Sequence, residues 1–461
     1  MFDAKSKIET GQQNYHCGGK IIGVRPKYSY ILNPATTKSY GVSMSYHSDN
    51  HEVTTRRYFM AALAATSTSV FRPKNLSAQE LTNPALRSLI KKLHYLTPSE
   101  QFGTVERGNP LPYKLPPADL KEAGLTTDTW KLEVVSDLDY PSKMGNQFKH
   151  ADNTAFTYAR LMELANKKGT SFIKTMTCNN MEAPLGTGIW EGVPLRDVIW
   201  LTDPKSDIRR VFYHGYHNLD PKQMFQSSLP IGRVLEDPPG MPPVILAYKL
   251  NGNPISGRRG GPVRLVVPET YGFKSVKWLT RITLTNLHHA NDTYHRGNND
   301  LDSWLKTIAR FGSLNNEIPR GTPIPITGLA QVGISGLKKV QVWITPSIPA
   351  QPRGETRFSY GDWQDATILP PPVDWGANGT AGPTDMQAVY GFDKQTGKPT
   401  SWPIPYTIAH WATLLPPVPP GRYTIRCRAI DNNNIAQPLP RPFRKSGNSS
   451  IARVTVVVGE S

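Results

Sequence analysis

Short apolar runs, each cut off by glycine, proline or asparagine, set the rhythm of this chain, and the period inside each run assigns its element. Over 84–96, Leu86, Leu89, Ile90 and Leu93 recur at helical spacing and predict a short amphipathic helix. The stretch 102–112 is rich in turn formers and predicts a loop. Trp130-Lys-Leu-Glu-Val-Val135 alternates as a strand does, and 155–168 reads as a helix stopped by Gly169. Phe172, Ile173 and Met176 lie in a compact run that predicts a buried strand. It delivers Cys178 to a point where the chain breaks into Asn179-Asn180 and then into glycine turns. A helix over 194–200 and a strand over 209–213 follow. Asn251-Gly252, directly after the apolar run 246–250, signals a hairpin, because both central positions of the tight turn need positive φ. Strands over 264–267 and 276–284 complete the set. Strands and helices mixed without a regular βα repeat predict an α+β fold.

The pattern changes near Arg320-Gly-Thr-Pro-Ile-Pro325, after which helical periods vanish. Val340-Gln-Val-Trp-Ile344, Tyr423-Thr-Ile-Arg-Cys-Arg-Ala429 and Ala452-Arg-Val-Thr-Val-Val-Val458 read as strands of an antiparallel sandwich. Cys427 alternates within one of them and reads as core. The Pro/Gly-rich span 369–402 reads as a long surface loop. A chain of 461 residues holds two or three such domains, and 19% charged with 38% apolar residues fits a folded protein. The 42 prolines and 37 glycines point away from a helical bundle.

Formal charge is +17, but residues 1–78 alone carry ten Lys/Arg against four Asp/Glu. The surplus is not organised as a basic tract interleaved with aromatics, so nucleic acid is not expected as a partner, and a site for a small anion or an acidic redox partner accounts for it more simply. No run reaches the roughly 18 apolar residues of a membrane helix. Cys17, Cys178 and Cys427 are too scattered for a disulfide framework. Cys178 has two readings: a small buried hydrophobe, or the one thiolate ligand of a soft metal whose other ligands come with a cofactor.

Three stretches decide between them by resemblance. Gly186-Thr-Gly-Ile-Trp190-Glu-Gly192-Val-Pro194-Leu195 is similar to the segment after the molybdenum-ligating cysteine in the sulfite oxidase family of molybdopterin-dependent oxidoreductases. Tyr248-Lys-Leu-Asn251-Gly252-Asn-Pro254, followed by Gly260-Gly-Pro262-Val-Arg264-Leu-Val-Val-Pro268, resembles a second family motif. Gly272-Phe-Lys-Ser275-Val-Lys277-Trp278-Leu279 resembles a third, and all keep the family's order and spacing.

The resemblance implies a molybdopterin-binding catalytic domain over 79–318 and an immunoglobulin-like dimerisation domain over 319–461. Asp362-Trp363-Gln364-Asp365-Ala366 and Arg428-Ala429-Ile430-Asp431 carry the second half of the match. It also implies molybdenum held by one molybdopterin and by Cys178, and oxygen-atom transfer that oxidises sulfite to sulfate. Arg107 matches the arginine that meets the anionic substrate, although an exposed loop arginine reads the same way. Arg264, Ser275 and Lys277, with Val276 between the last two, match positions that hold the pterin's phosphate and polar edge. Arg259 stands where the family has histidine, and an arginine binds phosphate as well. His217 stands where the family has aspartate; it is a pterin contact by position, or a core or surface histidine.

Other departures lie around the substrate. Asn179-Asn180-Met181-Glu182 lacks the family's arginine, and the substrate-side tyrosine has no clean counterpart, Tyr294 being the nearest. Without a haem motif or an iron–sulfur cysteine set, electrons are expected to leave for an external acceptor such as a cytochrome c. Thr54-Thr55-Arg56-Arg57-Tyr58-Phe59-Met60 and the alanine-rich run after it resemble a twin-arginine export signal over 44–78, which implies a periplasmic protein; two surface arginines at a helix start are the plainer reading. Residues 1–43 then read as a non-native or disordered extension. Rival functions are sulfoxide reduction by the same centre, and a non-catalytic binding protein that has lost it.

Overall fold

The structure, a computed structural model, describes residues 82–460 apart from 179–180, 182, 219, 294–299, 348–357, 360, 377–381 and 438–448. The extension over 1–43, the export signal over 44–78, and Asn179, Asn180, Glu182 and Tyr294 lie outside the described residues.

The first part of the chain builds two sheets. Its strands are β1 (Lys131–Ser136), β2 (Phe156–Thr157), β3 (Thr170–Met176), β4 (Gly186–Pro194), β5 (Arg210–Gly215), β6 (Gln226–Pro230), β7 (Ile245–Leu250), β8 (Asn253–Pro254), β9 (Arg264–Val266) and β10 (Leu279–Thr285). One sheet runs β2-β1-β10-β5-β6, with β1 and β10 parallel and the other pairs antiparallel. The other carries β3-β4-β7-β8 in antiparallel order, with β9 also on β7. Helices sit between strands without a βα repeat, as expected of an α+β fold. Leu132, Val134, Val211, Leu246 and Ile282 belong to one buried core shared by the two sheets.

The hairpin forms where Asn251-Gly252 requires it, with φ of 50° and 76°. The helix Tyr158–Lys168 starts where the Thr157 side chain accepts from the Arg160 N–H. Three expectations for this part of the chain need correction. The first helix spans only Pro84–Ile90, because Tyr95 and Leu96 leave it to pack against another core with Ile173 and Trp375. The glycines of 186–192 are not turns but lie in β4, paired residue for residue with the cysteine strand. A Cβ at Gly192 would stand 2.4 Å from the Leu246 carbonyl oxygen, so these glycines allow close strand approach. Finally, β10 starts at Leu279 rather than Val276, since Trp278 adopts φ of 50° and breaks the extended run.

The later strands are β11 (Ile308–Ser313), β12 (Glu317–Ile318), β13 (Ile324–Gln331), β14 (Lys339–Pro346), β15 (Gln364–Ile368), β16 (Val389–Tyr390), β17 (Ile408–Leu415), β18 (Gly421–Ile430) and β19 (Ala452–Val458). All but β16 form one sheet in the order β11-β13-β17-β15-β14-β18-β19-β12, antiparallel throughout except for β12 beside β19. β15 pairs with β14 at one end and β17 at the other, so the two halves fold over a shared core that includes Cys427, Trp411 and Val340. Burial pushes the Cys427 thiol pKa up, as fits plain core. β11, ahead of Arg320, already belongs to this sheet.

The span 369–402 is not a surface loop. It contains the short helix Pro383–Met386, and β16 pairs in parallel with β3, the cysteine strand. Trp375, Met386, Val389 and Phe392 are buried with Tyr95, Leu96 and Ile173, and Trp375 stacks edge-on against Tyr95 at 4.7 Å. Proline and glycine counts signalled turns; they hid the few large apolar residues that anchor the span.

Candidate functional site

A cavity opens beyond the end of β3, and five separate stretches of chain line it. The first is 102–108. Phe102 is buried edge-on against Trp190, at 5.8 Å, and the Gly103 N–H donates to the Leu185 carbonyl at 2.6 Å, which docks this loop on the start of β4. Arg107 follows on the cavity wall. Its guanidinium lies over the Phe225 ring, 4.3 Å from the centroid, and its buried Nε has no hydrogen-bond partner.

The second stretch is the end of β3. Cys178 is half-buried there, two residues beyond the strand. The preceding carbonyl, of Thr177, accepts from the Gly272 N–H at 2.7 Å. That bond ties the cysteine strand to the 272–278 segment across the cavity floor.

The third stretch, after β5, brings Tyr216 and His217. The His217 ring lies 5.3 Å from that of His214, and its Nε2 is buried without a partner. Burial, with the positive charge of Arg107 nearby, pushes the His217 pKa down to about 4, so the ring is neutral at ordinary pH.

The fourth and fifth stretches form the cationic wall. Arg259 lies in a single turn, Gly257–Arg259, and donates to the Gly103 carbonyl at 2.9 Å and the Ser99 carbonyl at 3.3 Å. Arg264 opens β9 and is 4% exposed. Its terminal nitrogens donate to the Arg259 carbonyl (2.7 Å) and the Ser275 carbonyl (2.6 Å), while Nε lacks a partner. Burial, then repulsion from Arg259, lowers its pKa to about 9. Ser275 is buried and its hydroxyl accepts from the Val267 N–H at 3.1 Å; Val276 beside it lines the cavity. Lys277 reaches the Thr104 hydroxyl and the carbonyls of Val105 (3.1 Å) and Arg258 (3.3 Å). Burial first, then repulsion from Arg264, pushes its pKa down to about 7.

Trp278 holds Lys277 in place through its positive φ, which is costly for a bulky residue. Three bonds fix it: its N–H to the Gly260 carbonyl (2.9 Å), its indole to the Gly257 carbonyl (2.7 Å), and its carbonyl from the Tyr216 N–H (2.8 Å). Gly260, at φ of 95°, leaves room for the Lys277 stem, since a Cβ there would lie 2.5 Å from the Lys277 Cβ.

All eight residues singled out in the sequence thus line one cavity. Sequence reasoning missed Thr104, Phe225 and Tyr216, which receive or support the basic groups. Thr104 was legible in principle as the polar residue three before Arg107; Phe225 carried no signal.

Residues 120–293 match the family model described as "Oxidoreductase molybdopterin binding domain". This chain carries a molybdopterin-binding oxidoreductase domain. Among curated relatives of the family, a nitrate reductase [NADPH] of Fusarium oxysporum is 30% identical over 169 residues, 36% of this chain and 18% of that protein. The mitochondrial sulfite oxidase of Drosophila melanogaster is 38% identical over 104 residues, 22% of this chain and 18% of that protein. The matched stretch thus spans less than a fifth of either relative. A solved structure, the sulfane dehydrogenase SoxCD from Paracoccus pantotrophus, aligns at 17% identity with a TM-score of 0.48, over 73% of this chain and 79% of that one.

Molybdenum with molybdopterin is therefore the cofactor. The cavity suits it: Arg264, with a buried Nε that has no partner, lines it together with Arg259 and Lys277, a basic wall fit for an anionic pterin phosphate, and one cysteine sulfur borders the same space.

Proposed function

We propose that this protein oxidises sulfite to sulfate, sulfite and water giving sulfate, two protons and two electrons, and passes the electrons to an external acceptor such as a cytochrome c. The convergence of Arg107, Cys178 and the basic wall on one cavity is the observation that carries this reading. When bound, the molybdenum–pterin group supplies the oxygen-atom transfer and takes up the two electrons. Arg259, Arg264, Ser275, Val276 and Lys277 would hold its phosphate and polar edge, and Cys178 would bond the metal. Arg107 presents a permanently charged planar fork to an oxyanion, held flat by Phe225. His217, neutral beside it, offers a single hydrogen bond and no competing charge.

The proposal extends to the chain's organisation: an export leader over 44–78, a cofactor domain over 79–318, and an immunoglobulin-like dimerisation domain over 319–461 with β11 contributed from upstream. Export by the twin-arginine route would place it in the periplasm. Among the described residues no helix is long and apolar enough to cross a membrane.

Nitrate reductases among the relatives favour a second reading, oxygen transfer out of nitrate by the same residues. Anaerobic turnover assays with sulfite, nitrate and methyl sulfoxide, on protein of known molybdenum content, separate these readings. Sulfite-dependent reduction of cytochrome c is expected to be fastest; faster turnover of nitrate or a sulfoxide overturns the substrate, and a folded protein that takes up no molybdenum and turns over none of the three overturns the enzyme.

A further inference from the structure

β3 carries a lysine where an apolar residue is the ordinary choice. Lys174 lies between Ile173 and Thr175, all three buried, and its side chain is fully enclosed. The carboxylate that influences it, Glu269, is already gripped by Arg233 through bonds of 2.8 and 3.1 Å. Lys174 instead donates to two backbone carbonyls, Pro268 at 2.6 Å and Thr270 at 2.8 Å. An apolar residue is the ordinary occupant of such a site and burying an ammonium against neutral carbonyls is costly, so the two bonds it makes are the feature to explain.

Geometry does give one. Pro268 and Thr270 flank the entry to the segment that supplies Gly272, Ser275 and Lys277 to the cavity. The Lys174 bonds and the Gly272–Thr177 bond are therefore two staples between the cysteine strand and the phosphate-side segment, four residues and one residue ahead of Cys178. We propose that Lys174 is a positioning residue that fixes the spacing between Cys178 and the 272–277 segment, so that one ligand can be held at both ends. The inference rests on the molybdopterin reading of the cavity. It is robust to titration: burial pushes the Lys174 pKa down to about 7, yet the neutral amine still has two N–H groups for its two carbonyls.

The test compares purified wild type, Lys174→Met and Cys178→Ser by thermal melting, molybdenum content and the visible thiolate-to-molybdenum absorption band. Lys174→Met is expected to fold but to melt lower than wild type, because the Pro268 and Thr270 carbonyls lose their donor, and to retain on the order of tenfold less molybdenum, with a displaced band in what remains. The wild-type band is expected to keep its position from pH 6 to 9. A Lys174→Met protein with wild-type metal content and band position overturns the inference. If that variant does not accumulate, Lys174→Gln, which keeps two N–H donors on a shorter stem, is expected to fold with a smaller displacement, and an unmoved band there overturns it equally. Cys178→Ser is expected to lose the band. Its persistence in that variant refutes the metal-ligand reading itself, whereas its loss there beside an unmoved Lys174→Met band refutes only the role of Lys174.

Discussion

The two sides of the cavity are built on opposite plans. On the basic wall, proposed above to hold the phosphate, most donors are committed to the protein itself: both terminal nitrogens of Arg264, whose Nε alone lacks a partner, two nitrogens of Arg259, and the Lys277 ammonium against two carbonyls and a hydroxyl. On the substrate side the buried Arg107 Nε and His217 Nε2 have no partner, and Arg107 rests on an aromatic face instead. A buried donor left unpaired costs about 1–3 kcal/mol, which an arriving acceptor recovers. The committed side is rigid before anything binds, as suits a cofactor that becomes part of the fold. The uncommitted side suits a ligand that comes and goes.

The sharpest test of that contrast is Cys178→Ser, where the two sides meet. Turnover is expected to vanish while the melting temperature of the metal-free chain stays unchanged, read by calorimetry on apoprotein. Next is Arg107→Met: KM for sulfite should rise roughly ten- to a hundred-fold, the loss of one charge-assisted hydrogen bond, with no loss of stability. A lowered melting temperature would place Arg107 with the committed side and break the comparison. Arg264→Met should do the reverse, lowering stability by about 2–4 kcal/mol in denaturant titrations because two buried carbonyls lose their donor.

The smallest effect concerns Lys277. An unfolded lysine titrates near 10.5 and the folded one near about 7, so between those values the unfolded chain binds more protons. Stability of the apoprotein should rise with pH across that window, and the favourable state is lost as pH falls through about 7. Bound inorganic phosphate should flatten the slope by keeping Lys277 charged; an equal slope with and without phosphate, in melts from pH 6 to 10, would contradict its place in the anion site.

The committed side was largely legible in the sequence because its parts are local. Gly260, Arg264, Ser275 and Lys277 occupy short contiguous motifs that could be matched by resemblance, and Asn251-Gly252 announced its own hairpin. The substrate side was legible only residue by residue, since Arg107, Cys178 and His217 come from distant loops and meet through packing that no local period encodes. Lys174 was hidden inside a run read as apolar. The 369–402 span was misjudged because turn residues outnumber Trp375, Met386 and Phe392, although those three decide where it packs. The glycines of β4 misled for a related reason: they mark close strand approach as readily as turns.

The central claim is that the Cys178 sulfur bonds molybdenum in a cavity whose basic wall holds the pterin. X-ray absorption at the molybdenum edge, on wild type and on Cys178→Ser loaded with cofactor, tests it most directly. The account predicts one fewer sulfur neighbour around the metal in the variant; identical sulfur shells in the two proteins would contradict it.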